Sequence, residues 1–572
     1  MEVTPTQKPR RAILVVFAAA SAAVLLASCA PSATRPISNA VTARESHPAR
    51  AAHPPIGVAI ARGTDLGPLA PDTVLHLTLG LTDRDERGLQ ALLASGQHVT
   101  PQEYAARYGP DPQSVTRAQA RLEAGGFAVA WTPGAQVMSA TVTAREADRF
   151  FAVSIDRRVG PDGVSFYAPQ QQPEVPASLQ PAVNGVSGLD DYPRFATRSV
   201  RTVNGLTPAD ALDFYDMNPL RNAGLDGAGT TVVFIEIDRF DPAMLDRFAA
   251  EFTPDAPFNV EVRSDTAHWG APMAEQGEAD MDLEIVHALA PRAREVVYYA
   301  APDERLYAAE QALFAAYPHG AIESKSIGQC EAGETRSGLT VLDDATKAAA
   351  AQGWSIFVAS GDAGAFGCTP NGDANALSVS GDSAVSSVTA VGGTTVLLSS
   401  GGGYYREAAW GEPIEQAGSG GGLSTFFERP SWQSGPGVAN PFSNGMRQVP
   451  DVSGDADPLS GWDIFTNGSE QPGGGTSASA PFWAACAALI DQDLMQRNLP
   501  VIGFANPGLY RFAQSPPDLP APALHDVTAG TNLYYPATVG WDFATGLGTP
   551  DVAALADDYE WYERQVMAGR HP

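Results

Sequence analysis

Four continuous apolar runs, at 231–237, 296–300, 354–359 and 388–398, constrain the fold of this chain more than any other feature. A strand with one wet face alternates polar and apolar side chains. A short run that is apolar throughout is buried on both faces, as in a parallel sheet covered by helices on each side. Helical segments separate the runs, so the alternation predicts a doubly wound α/β domain over 201–562. Sheets of this kind collect their reactive groups at the carboxyl ends of the strands.

At 572 residues the chain is too long for one core. A second unit is expected at 66–168, where Leu75, Leu77, Leu79 and Leu81 alternate with His76, Thr78 and Gly80 in strand period. Residues 84–94 read as a helix. The next starts at Thr100-Pro101-Gln102-Glu103, with an N-cap, a proline at the first helical position and a capping-box glutamate. Further helices at 115–124 and 145–151 flank strands at 127–131 and 137–143, which predicts a ferredoxin-like α+β sandwich. The Pro- and Gln-rich segment 169–200 reads as a linker.

At the N-terminus, Lys8, Arg10 and Arg11 precede an apolar stretch at 12–27, which has the charge and length of a signal peptide. Its end, Leu26-Ala27-Ser28-Cys29, resembles a bacterial lipobox, in which the cysteine is lipidated. An exported protein anchored to the membrane through Cys29 is expected, with 30–65 as a flexible tether. The net charge of −29 repels phosphate and argues against a nucleic-acid partner. An exported chain can keep a disulfide. Cys330 and Cys368 both follow expected strand ends and could pair, whereas Cys486 lies in an apolar helix and reads as a buried thiol; the connectivity stays open.

The strongest chemical signal is Gly473-Gly474-Gly475-Thr476-Ser477-Ala478-Ser479-Ala480-Pro481, which runs into an apolar helix. The glycines permit a sharp turn, and Ser477 then stands at a helix N-terminus, where backbone N–H groups can steady an oxyanion. A nucleophilic serine needs a base. Of nine histidines only His319 precedes a glycine, and the threonine usual in a subtilisin-type base motif is missing, so His319 reads as a loop residue. Glu278 and Asp282 are four apart and share a helix face. Like charges there cost energy unless a proton is shared, which raises a carboxyl pKa towards that of a working base. Each motif also has a plain structural reading: a serine-capped glycine loop, and a solvated acidic face.

Together with Ser324-Lys325-Ser326-Ile327-Gly328-Gln329-Cys330-Glu331 and Ser360-Gly361-Asp362-Ala363-Gly364, these motifs resemble in order and spacing the sedolisin family of serine-carboxyl peptidases. The unit at 66–168, with its Gln102-Glu103-Tyr104-Ala105-Ala106-Arg107-Tyr108 stretch, is similar to the family's pro-kumamolisin-like activation domain. The resemblance implies a subtilisin-like peptidase domain, a precursor that cuts itself in acid near the linker, and a monomer acting on proteins or peptides. It implies Ser477 as nucleophile, Glu278 as base, Asp282 behind Glu278, and Asp362 with the Ser477 N–H as oxyanion hole. An ionised carboxylate repels an oxyanion, so Asp362 must be protonated at that step, and activity is expected in acid.

Glu236, in Ile235-Glu236-Ile237, either extends the carboxyl network or is a plain strand-end glutamate. The resemblance also implies one structural Ca²⁺. Its ligands would be the carboxylates of Asp526 and Asp542 and the carbonyls of Val527, Gly540 and Thr538, the last standing where glycine is usual. The chain departs from the family pattern at Glu323, Lys325, Ile327 and Ala363, which bears on pocket shape rather than on the catalytic groups. Two other readings fit the sequence: a histidine-dependent subtilisin-like peptidase, and a silent surface-binding protein that keeps the fold. Endopeptidase and tripeptide-releasing action are not distinguished.

Overall fold

A computed structural model of the protein describes residues 64–160, 165–192, 205–369, 375–399 and 403–570. The expected signal peptide and nearly all of the tether lie outside these residues. Among the described residues no helix is long and apolar enough to cross a membrane.

The first unit opens with β1 (Thr64–Pro68) and β2 (Val74–Leu81), whose four alternating leucines are all buried. Three helices follow: α1 (Glu86–Ala94), α2 (Pro101–Arg107) and α3 (Pro112–Ala124). The expected capping box is formed at α2, with Glu103 N–H on Thr100 Oγ1 at 3.2 Å and Thr100 N–H on Glu103 Oε2 at 3.0 Å. After β3 (Ala128–Ala130), β4 (Val137–Thr143) and α4 (Ala144–Phe151) come β5 (Ile155–Val159), β6 (Ser165–Pro169) and β7 (Val183–Ser187). The antiparallel order β3-β4-β2-β7 is the ferredoxin-like one. One expectation is corrected here. The segment from 169 onward is not all linker, because β7 completes the sheet beside β2. Its Val-Asn-Gly-Val-Ser sequence has little strand propensity, and packing against a neighbouring helix overrides that.

The second unit is built on a sheet in the order β14-β13-β12-β11-β8-β10-β9. These strands are β8 (Thr231–Glu236), β9 (Glu261–Ser264), β10 (Arg294–Tyr299), β11 (Ile322–Lys325), β12 (Ser355–Ala359), β13 (Thr389–Leu398) and β14 (Tyr404–Ala409). All pairings along it are parallel except β13 with β14, and a further strand, Val452–Asp455, joins β13 in parallel. Helices cover both faces, as the apolar runs require. Val232 and Phe234 of β8 join the core beneath α6 (Glu278–Leu289) and α9 (Thr476–Gln496). Val233, Ile235 and Ile237 join a second core beneath α7 (Leu306–Ala316) and α8 (Arg336–Ala351). The helix α5 (Pro242–Phe252) packs beside α6.

The first unit's sheet rests on α8 of the second. Lys347 Nζ meets Glu86 of α1 at 2.8 Å, and Asn184 Nδ2 donates to Asp344 at 2.6 Å. Ser187 Oγ and Gly188 N–H both donate to Glu304 at 2.8 Å. Beyond the first unit, Leu206 forms a parallel bridge with Trp462 of the strand Trp462–Thr466, and Gly205 N–H donates to Asp463 at 3.2 Å.

Candidate active site

The alternation along β8 has a chemical consequence. The side that takes Val232 and Phe234 under α6 and α9 also takes Glu236, and just past the strand Asp238 returns to α6. Glu236 is 1% and Asp238 0% exposed. The helix α6 starts at Gly277, whose φ of 97° suits only glycine and where a Cβ would meet Thr466 Oγ1 at 2.5 Å. A glycine cannot cap the helix with a side chain, and Asp238 does so from outside. Its Oδ2 accepts the N–H of Gln276 at 2.9 Å and of Glu278 at 3.3 Å.

Glu278 is therefore the first residue of α6, and Asp282 lies one turn on; both are buried. Burial, then the neighbouring Asp282, pushes the Glu278 carboxyl well above the usual range, while a hydrogen bond with the Ser477 hydroxyl works the other way. Burial raises Asp282 too, opposed by Ser326 Oγ, which donates to Oδ2 at 2.5 Å, and by Glu236. Burial, then the neighbouring Asp282, Asp238 and Glu278, pushes the Glu236 carboxyl up as well. Both Glu236 oxygens, Glu278 Oε1 and Asp282 Oδ1 are buried without a fixed donor, as expected where only protons on the carboxyls themselves can join them.

Ser477 is the second residue of α9. Its hydroxyl donates to the Ser326 carbonyl at 3.1 Å, with Glu278 as the other acceptor in reach. Pro481 lies inside α9 and has no N–H, so the Ser477 carbonyl four residues earlier loses its helical donor. Ser326 Oγ takes that place at 3.0 Å. Ser326 thus links the backbone of Ser477 to Asp282. On the other side Asp362 follows β12, and its Oδ1 accepts from Thr476 N–H at 2.8 Å and Thr476 Oγ1 at 2.9 Å. Gly475 has a φ of 91°, and a Cβ there would come within 2.6 Å of Asp362 Oδ2. The glycine before Thr476 is what lets this carboxyl stand beside the helix N-terminus.

Glu236, Ser326 and Asp362 thus come from the carboxyl ends of β8, β11 and β12. His319 is exposed in a turn ahead of β11, at the opposite end of that strand from Ser326. Glu323 and Lys325 lie on the face away from the site, where Lys325 Nζ meets Asp382 at 2.6 Å and Glu310 at 3.2 Å. Ile327 joins the second core, and Ala363 is buried. Cys330 and Cys368 form a disulfide, and Cys486 is a buried free thiol.

The residues read as calcium ligands lie together in one loop region. Asp542 Oδ2 accepts Thr538 N–H at 2.7 Å, Asp526 Oδ2 accepts Gly540 N–H at 2.8 Å, and Thr545 Oγ1 stands 3.3 Å from Asp542 and 3.5 Å from the Val527 carbonyl. Thr538 is not among the residues with a left-handed backbone, so its side chain is tolerated there. Among the described residues no salt bridge reaches either carboxylate, and no group of three His, Cys, Asp or Glu side chains could hold a metal. Two carboxylates with carbonyls make a hard-oxygen donor set that fits Ca²⁺ rather than a softer ion.

Residues 61–192 match the family model for the pro-kumamolisin activation domain, and residues 279–499 that for the subtilase family. Over 533 residues the chain is 32% identical to kumamolisin from Bacillus sp. (strain MN-32), covering 86% of this chain and 92% of that one. The chain belongs to the sedolisin family of serine-carboxyl peptidases. It is 29% identical to sedolisin from Pseudomonas sp. (strain 101), over 85% of this chain and 87% of that one. The solved structure of Pseudomonas sedolisin, complexed with two molecules of pseudo-iodotyrostatin, superposes with a TM-score of 0.54 at 29% identity, covering 63% of this chain and 99% of that one. As a sedolisin-family member the chain is a serine peptidase made as a zymogen, with its own activation domain, and acts on proteins or peptides.

Sequence reasoning brought Ser477, Glu278, Asp282, Asp362 and Glu236 to attention, and these are the groups found together. It gave no role to Ser326, Thr476, Pro481 or Asp238. Asp238 had a signal, since it continues the every-second-residue series 232, 234, 236.

Proposed function

We propose that this sedolisin-family zymogen is an exported, acid-active peptidase whose nucleophile Ser477 is served by Glu278 and Asp282. Ser477 Oγ attacks the scissile carbonyl carbon, and its proton passes to Glu278 and then to the leaving amine. Asp282 balances the change of charge on Glu278. The carbonyl oxygen, negative in the tetrahedral state, receives hydrogen bonds from the Ser477 N–H and from protonated Asp362. Water, deprotonated by Glu278, then cleaves the acyl-enzyme and restores Ser477. The observation that carries this reading is that the Ser477 hydroxyl acts on the buried Glu278 carboxyl, whose partner carboxyl Asp282 is itself buried.

The requirement that Asp362 be protonated while Glu278 is ionised confines the reaction to acid. A Ca²⁺ ion held by Asp526, Asp542 and the carbonyls of Val527, Thr538 and Gly540 would neutralise two carboxylates and tie their loops together. It enters no chemical step. The lipobox-like Cys29 supports anchoring in the bacterial envelope, and the charge of −29 supports peptides rather than nucleic acid as substrates.

The test is to incubate the purified full chain with calcium at about pH 4, in the carboxyl titration range, beside Ser477→Ala and Glu278→Gln. The wild type should shorten itself and digest a denatured protein, while both variants stay intact and inactive. An inactive wild type, or a fully active Glu278→Gln, would sink the reading. Asp362→Asn should lose rate but keep more of its activity towards neutral pH; an unchanged profile contradicts its role.

A further inference from the structure

Asp238 is a buried carboxylate at the site to which the mechanism gives no task. We propose that Asp238 is a positioning residue that fixes Glu278 at the head of α6 and, by its charge, sets the lower pH limit of the peptidase. This rests on Glu278 being the base.

The geometric part follows from Gly277. The first N–H groups of α6 have no helical acceptor, and the N-cap residue has no side chain to offer one. Asp238 reaches them from the end of β8, so a single carboxylate fastens the strand that carries Glu236 to the helix that carries Glu278 and Asp282. A slip at this cap would move the base itself, because Glu278 is the residue capped.

The electrostatic part follows from the company Asp238 keeps. Glu236 faces it from β8, and Glu278, Asp280 and Asp282 from α6. Asp362 acts on Glu278 from the loop after β12, and Glu275 on Asp280. Of the cations nearby, Arg239 stands over the Tyr299 ring of β10 at 5.7 Å, and Arg247 of α5 stands over Phe465 and donates to the Gly468 carbonyl. Asp463, on the strand packed against α6, takes the Gly205 N–H. Burial, the larger effect, raises Asp238 itself against the N–H groups of Gln276, Gly277, Glu278 and Ala279, which favour its charged form. An ionised Asp238 makes each neighbouring carboxyl harder to ionise. Glu278 therefore becomes a competent base at a higher pH than it would beside a neutral cap.

Asp238→Asn separates the two roles, since an amide oxygen still accepts the N–H groups but carries no charge. The full chain, activated in acid, is assayed on a peptide across pH. The acid limb of kcat/KM should move down by about one pH unit, with less movement of the alkaline limb. Asp238→Glu, if it reaches the cap, should bring the limb back towards the wild type. An acid limb that stays put in a folded Asp238→Asn variant overturns the proposal. Should that variant not fold, Asp238→Ser carries the same test, and failure of both to fold leaves the cap alone as the role and overturns the electrostatic part. Loss of the proposed function is told apart by the wild type, where activity that survives Ser477→Ala or Glu278→Gln removes the base on which this inference rests.

Discussion

Pro481 leaves the Ser477 carbonyl without a helical donor, and Ser326 fills that gap with the same hydroxyl that holds Asp282. One side chain therefore keeps Ser477 and Asp282 in register. Ser326→Ala strands two buried acceptors and is expected to cost about 1–3 kcal/mol of stability. Its kcat/KM should drop by a larger factor than an equally destabilising change far from the site, which thermal unfolding and kinetics on the same preparation would show. Such residues are hard to read from sequence because a serine in a strand has no chemistry of its own. Ser477, Glu278 and Asp362 were legible because each sits in a motif whose glycines and spacing are unusual. Ser326 became meaningful only when folding placed it opposite a proline some 150 positions away, at a sequence separation of 151 from Ser477.

At the scale of elements, the buried runs that became β8, β10, β12 and β13 were visible because a parallel strand wet on neither face has no polar positions. β11 was less so, with Glu323 and Lys325 in a strand of four; buried ion pairs with Asp382 and Glu310 compensate Lys325. β7 was hidden for the opposite reason, being polar and short, and held by α8 rather than by its own propensity. The loops after β11 and β12 are joined by Cys330–Cys368, which closes a segment with a separation of 38 residues. In the chain-entropy account, replacing both cysteines by serine should lower stability by about 4 kcal/mol, measurable by denaturant unfolding. In the loop that carries Asp526 and Asp542, removing calcium with a chelator should lower the thermal midpoint of the wild type. It should do so much less in an Asp542→Asn variant, and equal sensitivity in both would place the ion elsewhere.

The whole molecule carries many carboxyls that burial has pushed upward: Asp83, Asp280, Glu407 and Asp491 to about 7, and Glu563 to about 8. A raised carboxyl contributes its stability below the unfolded value near 4 and loses it as pH rises through the folded value. Between these limits the native state binds more protons than the unfolded chain. The thermal midpoint should thus fall as pH is raised from the carboxyl range towards neutrality, and a calorimetric series showing a rise instead would contradict these shifts. Glu86 has the opposite sign: burial would raise it, but Lys347 holds it below its ordinary value. Its bond across to α8 is present at neutral pH and is lost as acid protonates it, so the activation domain is gripped less firmly under the conditions that stabilise the core. The bridge between Leu206 and Trp462 then decides how the mature chain begins. Wherever the first cut falls upstream, Gly205 and Leu206 are hydrogen-bonded to the strand beside α6 and withheld from trimming. N-terminal sequencing of the processed protein should therefore find ragged starts that converge on, and do not pass, Gly205.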